Sequence, residues 1–344
     1  MSDPDTTDSP LEAAAGGDAT RATEAFSALG NETRLAILLA LWEAYDPGRP
    51  DEGVPFSALR EHVGVRDSSR FNYHLDRLEG RFVRRVEDSD SGDSSDGRSA
   101  GGYALRRSGQ AVVRTVLAGT AIEEPSFERS EIDIACPLCG APTAVTYQDG
   151  WVYRVCTECE GAYEGHDLGP DGYLTGGALD PAGLTDRSPE EAWAAALTRA
   201  YQDTKTAVEG ICNECSGPVD RTLLVCEDHD HDPDGVCETC GRRFAAMALL
   251  SCRVCKNHHA ASPSTLVVHH PAVVAFYYER GVALQYEVDD VERVRRRSEL
   301  VAEHEQEVVS TDPPRVEVTV RYEGDECRLT LDETLSVIET SEKQ

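Results

Sequence analysis

Lysine is almost missing from this chain. Only Lys205, Lys256 and Lys343 stand beside 63 acidic residues, so arginine supplies nearly all the positive charge and the formal net charge is −30. A field of that sign opposes phosphate, which excludes nucleic-acid binding through overall charge. Its even spread along the chain instead reads as an acidic surface adapted to concentrated intracellular salt, where charges are screened within a few ångströms. Local charge must therefore decide the partners.

Long apolar runs are missing too. No stretch approaches the roughly eighteen uncharged apolar residues of a membrane span. Residues 1–17 carry Asp3, Asp5 and Asp8 in place of a basic-then-apolar secretory signal. We expect a cytoplasmic protein with no membrane segment, whose acidic residues 1–19 form a disordered tail. Catalytic signatures are equally scarce. There is no Gly-rich phosphate loop, no nucleophile elbow and no His-Glu-x-x-His. We expect no enzyme and find no small-molecule substrate indicated.

Cysteine is present, and in pairs. Ten of the twelve cysteines form Cys-x-x-Cys: 136/139, 156/159, 212/215, 237/240 and 252/255. Without a secretory signal such pairs favour metal over disulfides. Cys136, Cys139, Cys156 and Cys159 flank a predicted hairpin over residues 147–153, and four thiolates complete a tetrahedral zinc at about 2.3 Å. A unit of about thirty residues cannot bury enough apolar surface alone. Structural zinc contributes on the order of 10–16 kcal/mol.

The second cysteine-rich segment holds three pairs and a single Cys226. Residues 218–226 and 243–252 read as strands. If they pair antiparallel, Cys212, Cys215, Cys252 and Cys255 meet at one end. Cys226, Cys237 and Cys240 meet at the other, with His229 or His231 as fourth ligand. In the competing arrangement 212/215 joins 237/240, and 252/255 turns to His258 or His259. The first uses every cysteine of the segment, and we expect three Zn²⁺ per chain. His269 and His270 read as capping or surface residues, and Cys327 as a small core residue.

The expected fold class is α+β. Residues 20–119 form a winged helix-turn-helix, 132–163 a zinc ribbon, 164–187 a Gly/Pro-rich linker, 188–210 a helix, 211–260 a second zinc module, and 261–344 a helix followed by a β-hairpin. Ser188-Pro189-Glu190-Glu191 is a capping box, with Trp193, Leu197, Ala200 and Tyr201 on one face. The last region places a helix at 271–278 and a hairpin turning at Gly324-Asp325. Its charged run, 287–307, is either a solvated helix or a connector.

In the first region Ala22, Phe26 and Leu29 recur at helical spacing, and Asn31 can cap a second helix carrying Leu35, Leu38, Leu39 and Trp42. Ser57 can cap a third, Gly64 turns the chain, and Asp67 or Ser68 starts a fourth. Phe71, Leu75 and Leu78 of that fourth helix face inward. Two short helices around a glycine turn are the helix-turn-helix signature, and strands near 82–86 and 103–106 make a wing. On recognition helix 68–78, Ser69, Arg70, Tyr73 and Arg77 lie opposite the apolar stripe, with Asn72 and His74 flanking it. This set can bond base edges and phosphates of double-stranded DNA. From Arg60 to Arg85 seven arginines face four acids, an excess of three positive charges in a strongly negative chain. Acidic residues crowd the wing loop, 87–99, which leaves Arg84, Arg85, Arg106 and Arg107 at its base as contacts.

The stretch Ala28-Leu29-Gly30-Asn31-Glu32-Thr33-Arg34-Leu35-Ala36-Ile37-Leu38 resembles the ArsR-like winged-helix regulators. Phe71-Asn72-Tyr73-His74-Leu75-Asp76-Arg77-Leu78 is similar to their recognition helix, particularly in halophilic archaea. The likeness covers residues 22–117 and implies a homodimer on a palindromic operator. Metal-sensing members carry cysteine in the recognition helix, whereas this chain has none between Phe56 and Leu117. Any metal or redox input is displaced to the ribbons. The expected function is a zinc-stabilised, sequence-specific transcriptional regulator. The alternative is a zinc-ribbon adaptor that binds proteins of the transcription machinery.

Overall fold

The computed structural model describes residues 19–50, 52–87, 101–120, 125–163, 169–229, 235–284 and 291–343. The acidic tail up to residue 18, the wing-loop residues 88–100 and His231 lie outside the described residues. The chain divides into two compact units, residues 1–122 and 123–344, and its secondary structure is mixed α and β with small antiparallel sheets.

The first unit contains α1 (Ala19–Leu29), α2 (Glu32–Glu43), α3 (Phe56–Val63), α4 (Ser68–Leu78) and α5 (Arg107–Leu117), with β1 (Val83–Val86) paired antiparallel to β2 (Gly102–Leu105). Asn31 caps α2 by accepting from Arg34 N–H, and Asp67 caps α4 by accepting from Ser69 and Arg70 N–H. The expected Ser57 cap does not form. The helix starts a residue earlier at Phe56, behind Pro55, with no side-chain cap. Gly64 ends α3 in the left-handed conformation (φ 75°), which glycine adopts without a Cβ penalty. Ile37, Leu38, Leu59, Phe71, Leu75 and Leu78 form the core. Phe26, at helical spacing with Ala22 and Leu29, lies on the surface, 73% exposed.

The second unit runs through β3 (Phe127–Ala135), β4 (Pro142–Gln148), β5 (Trp151–Cys156) and β6 (Tyr173–Ala178), an antiparallel sheet in chain order. β6 and a 3-10 turn (Pro181–Leu184) occupy the segment expected to be linker. Helix α6 (Pro189–Val208) opens with the expected capping box: Ser188 and Glu191 bond each other's backbone N–H. Its Trp193, Leu197 and Tyr201 pack with Val145, Tyr147 and Val152 of the sheet.

A second sheet joins β7 (Val219–Val225), β8 (Ala246–Cys252) and β9 (His258–Ala261). It is followed by α7 (Pro263–Val267), α8 (Pro271–Glu279) and α9 (Val291–Ala302). The expected C-terminal hairpin is the centre of a four-stranded meander, β10 (Glu305–Thr311), β11 (Pro314–Tyr322), β12 (Asp325–Leu331) and β13 (Val337–Lys343). Its central turn falls on Glu323-Gly324, one residue earlier than expected, and both residues have positive φ. Of the charged run 287–307, the described residues 291–307 are neither fully solvated nor a connector. They contain α9, whose Val294, Arg297 and Leu300 are buried, and the start of β10. Alternating arginines and glutamates hide an apolar stripe because only every third or fourth residue turns inward.

Candidate metal centres and nucleic-acid interface

Four of the five cysteine pairs share one backbone turn. The N–H of Cys136, Cys212, Cys237 and Cys252 each donates to a carbonyl five residues on, at Ala141, Gly217, Arg242 and Asn257, over 2.8 to 3.0 Å. The residue after each second cysteine, Gly140, Ser216, Gly241 or Lys256, has positive φ. This turn aims two thiols at one point and directs amide N–H groups at sulfur, as with Leu138 to Cys136 at 3.4 Å and Val254 to Cys252 at 3.3 Å. The pair 156/159 leaves the end of β5 instead, with Cys156 N–H bonded to Gly172 O at 2.7 Å. A Cβ at Gly161 would lie 2.2 Å from Tyr173 O, so this turn closes only on glycine.

The pairs converge into three four-ligand clusters, each with its ligand atoms within 4.8 Å of one another. In the first, Cys136–Cys159 and Cys139–Cys156 sulfurs are 3.8 and 3.5 Å apart. In the second, Cys212–Cys255 and Cys215–Cys252 are 3.6 and 3.5 Å apart. In the third, Cys226, Cys237 and Cys240 gather with His229, whose Nδ1 is 3.5 Å from Cys240 Sγ. A tetrahedron with metal–sulfur bonds of about 2.3 Å has edges of about 3.8 Å, so these spacings suit one small tetrahedral ion each. The strand register Val219↔Cys252 to Val225↔Ala246 decides between the two pairings left open by the sequence. It brings 212/215 to 252/255 and Cys226 to 237/240, and the arrangement using His258 or His259 as ligands is not formed. His259 bonds Asn213 Oδ1 at 3.1 Å instead.

Four thiols this close cannot all ionise without a cation, and their acidities split accordingly. Backbone N–H groups of Cys255 and Val254 bring Cys252 down to about 6, while Cys255, against the lowering N–H of Asn257, is pushed up to about 12 by hydrogen bonds with the Cys215, Cys212 and Cys252 thiols and by burial. A divalent ion removes the conflict by holding every ligand deprotonated.

Residues 133–337 match the family described as domain of unknown function DUF7351, and residues 22–116 match domain of unknown function DUF7347. The first match spans more than half the chain. The chain belongs to the DUF7351 family. No curated protein and no solved structure matches it.

All three clusters of this DUF7351 chain lie inside the family segment. Beside the first, the buried Arg154 donates from Nη2 to Ala135 O at 2.7 Å and from Nε to Thr143 Oγ1 at 3.3 Å. Burial lowers its pKa, and Cys136 and Glu299 act in the opposite sense. Sequence reasoning missed this residue, because a lone arginine in an apolar strand carries no motif. His270 caps α8 by accepting from Ala272 N–H. His269 does neither of the things expected of it: it packs edge-on against Tyr201, and burial, then Arg297 and Lys205, depress it to about 4.

In the DUF7347 segment, α4 exposes Ser69, Arg70, Asn72, Tyr73 and Arg77. Arg77 stacks over Tyr73 at 5.4 Å, and Asn72 is held by Asp76 at 2.8 Å. His74 is corrected from a flanking contact to a core residue. It is 6% exposed and kept neutral by burial, then by Arg34 and Arg70. At the strand base, Arg84 donates to Pro50 O at 3.0 Å, Arg106 donates to Gly80 O, and Arg85 pairs with Glu79 at 3.2 Å. These three brace the hairpin while leaving guanidinium surface exposed, and Arg107 starts α5.

Proposed function

We propose that this protein is a sequence-specific DNA-binding transcriptional regulator, with residues 20–119 acting as an ArsR-like winged helix-turn-helix and the second unit held by structural zinc. One observation carries the reading. Helix α4 follows α3 across the Gly64 turn, buries Phe71, Leu75 and Leu78, and presents Ser69, Arg70, Tyr73 and Arg77 together on its open face. A short exposed helix with guanidinium and hydroxyl groups on one side suits major-groove readout. Arg84, Arg85, Arg106 and Arg107 would then meet phosphates beside the hairpin. The resemblance to ArsR-like regulators implies a homodimer on a palindromic operator.

Zinc is the metal that fits best. Thiolate and imidazole ligands in closed tetrahedra favour it over hard cations. Four protein ligands leave no open position for activating water, which supports a structural role and not an enzyme. No helix among the described residues is long and apolar enough to cross a membrane, which agrees with a cytoplasmic regulator.

Genome-wide occupancy followed by gel shift tests the reading. Specific sites are expected, and Arg70→Ala or Arg77→Ala should each weaken binding about 10- to 100-fold, following the ~1–3 kcal/mol of a base contact. Neither should alter the melting temperature. Absence of specific sites, or their survival in both variants, would return the protein to the adaptor reading.

A further inference from the structure

The second unit contains a cavity of about 210 Å³ between β6, α6, α7 and the junction of α9 with β10. Its walls include Tyr163, Tyr173, Tyr201 and Phe244, with Tyr163 and Tyr173 ring centres 5.6 Å apart. The chain carries 63 acidic residues, yet no carboxylate lines this space among the described residues. Pro137 and Leu138 of the first cysteine turn form part of the rim.

Two of the lining residues hold buried polar atoms with no hydrogen-bond partner, His304 Nδ1 and Gln306 Oε1. His304 is only 8% exposed. Positions 304 and 306 sit two apart as the chain enters β10, so their side chains project to the same side. Burial depresses His304 to about 4, leaving a neutral ring with a single proton, and the Ser264 backbone offsets this only in part. The Tyr277 hydroxyl meets Nε2 at 3.0 Å. With that hydroxyl donating, Nδ1 carries the proton and is a donor. Gln306 Oε1 is an acceptor on a second residue lining the same cavity. Buried polar atoms are rarely left unpaired, and an unpaired donor and acceptor in one hollow mark a place for a partner.

The cavity's one formal cation, Arg154, already bonds Ala135 and Thr143, which disfavours an anionic occupant. Aromatic walls favour a flat ring. A dry cavity of about 150 Å³ accepts benzene, so this one has room for a bicyclic ring.

We propose that this cavity binds an uncharged planar heteroaromatic molecule of nucleobase size, which accepts from His304 Nδ1–H and donates to Gln306 Oε1. The site is independent of the DNA-binding proposal, since every lining residue falls between Pro137 and Gln306.

The test uses the metal-loaded, full-length protein, titrated with adenine, hypoxanthine and nicotinamide by calorimetry and ligand-observed NMR. At least one probe should bind in 1:1 ratio, and Gln306→Leu and His304→Phe should each weaken it at least tenfold with zinc content unchanged. Ligand-free Gln306→Leu should melt no lower than the parent, because it removes an orphaned acceptor. A purely structural Gln306 would make that variant less stable. Ser298→Leu fills the cavity from α9 and should also abolish binding, which covers the case in which His304→Phe fails to fold. The proposal is overturned if no probe binds at millimolar concentration, if binding survives these substitutions, or if a crystal structure with probe shows only ordered water between His304 and Gln306.

Discussion

The two units solve the same stability problem with different materials. Residues 19–120 contain no cysteine and rest on side chains such as Ile37, Phe71 and Leu75, each fully buried around α2 and α4. The second unit has comparable buried groups where α6 covers its sheet and where α8 meets the C-terminal meander. At the sheet ends that packing gives out. Among the described residues, the cluster around Cys136 and Cys156 gathers one further buried apolar side chain, Leu174. Cys139, Cys215 and Cys255 stand exposed at such ends. The candidate ligands gather where the chain is too thin to bury apolar area, so the paired cysteines mark the edges of the fold, while Cys327 packs in its core.

Metal removal should divide the two units most sharply. If the clusters hold zinc as proposed, stripping it with a strong chelator is expected to cost the second unit on the order of 10 kcal/mol per site lost. It should leave the helical signal and melting transition of the first in place. Calorimetry with and without chelator reads this directly, and a single transition lost as a whole would erase the distinction. Leu75→Ala probes the opposite side. It should destabilise the first unit by about 2–5 kcal/mol through the cavity it leaves, with no change in zinc stoichiometry.

Acid should reach the second unit first. His269 and His304 are held near 4 when folded, against an ordinary value of 6.5. Between those values the unfolded chain binds protons that the folded chain refuses, so stability is lost as pH falls from about 6.5 toward 4. Denaturation midpoints across that window measure it. His304→Gln should flatten the slope, separating imidazole protonation from acid release of metal. The smallest effect belongs to Ser188→Ala, which removes one half of the capping box on α6. About 1 kcal/mol is expected, read as a modest fall in the second unit's midpoint.

Legibility followed the range of the interactions. Asn31 and Ser188 act within three residues of themselves and read directly from the sequence, Asp67 was one of two starts left open for α4, and the Ser57 cap did not form. The Phe71/Leu75/Leu78 stripe read directly too. His74 was misplaced because a polar residue one step from an apolar stripe gives no sign of which way it turns. β6 was hidden in a Gly-rich stretch: Gly172 and Gly177 are needed for close approach to Cys156 and Ala196, yet resemble linker. β10 and α9 were hidden by charge. Arg154, His304 and Gln306 belong to no pattern at all, since their neighbours come from distant parts of the chain.

The amino-acid sequence by itself determined the composition of the clusters, because Cys-x-x-Cys turns are local and bring two ligands together within six residues. It also determined the caps, the apolar faces and the local excess of arginine near α4. Which pairs share an ion was left to the antiparallel register of β7 and β8, a long-range property that one sequence leaves ambiguous. The cavity beside α9 was likewise decided by tertiary structure. Its walls come from β5, β6, α6, β9, α7, α9 and β10, spread over some 170 positions, and only their packing brings an unpaired donor and an unpaired acceptor to one cavity.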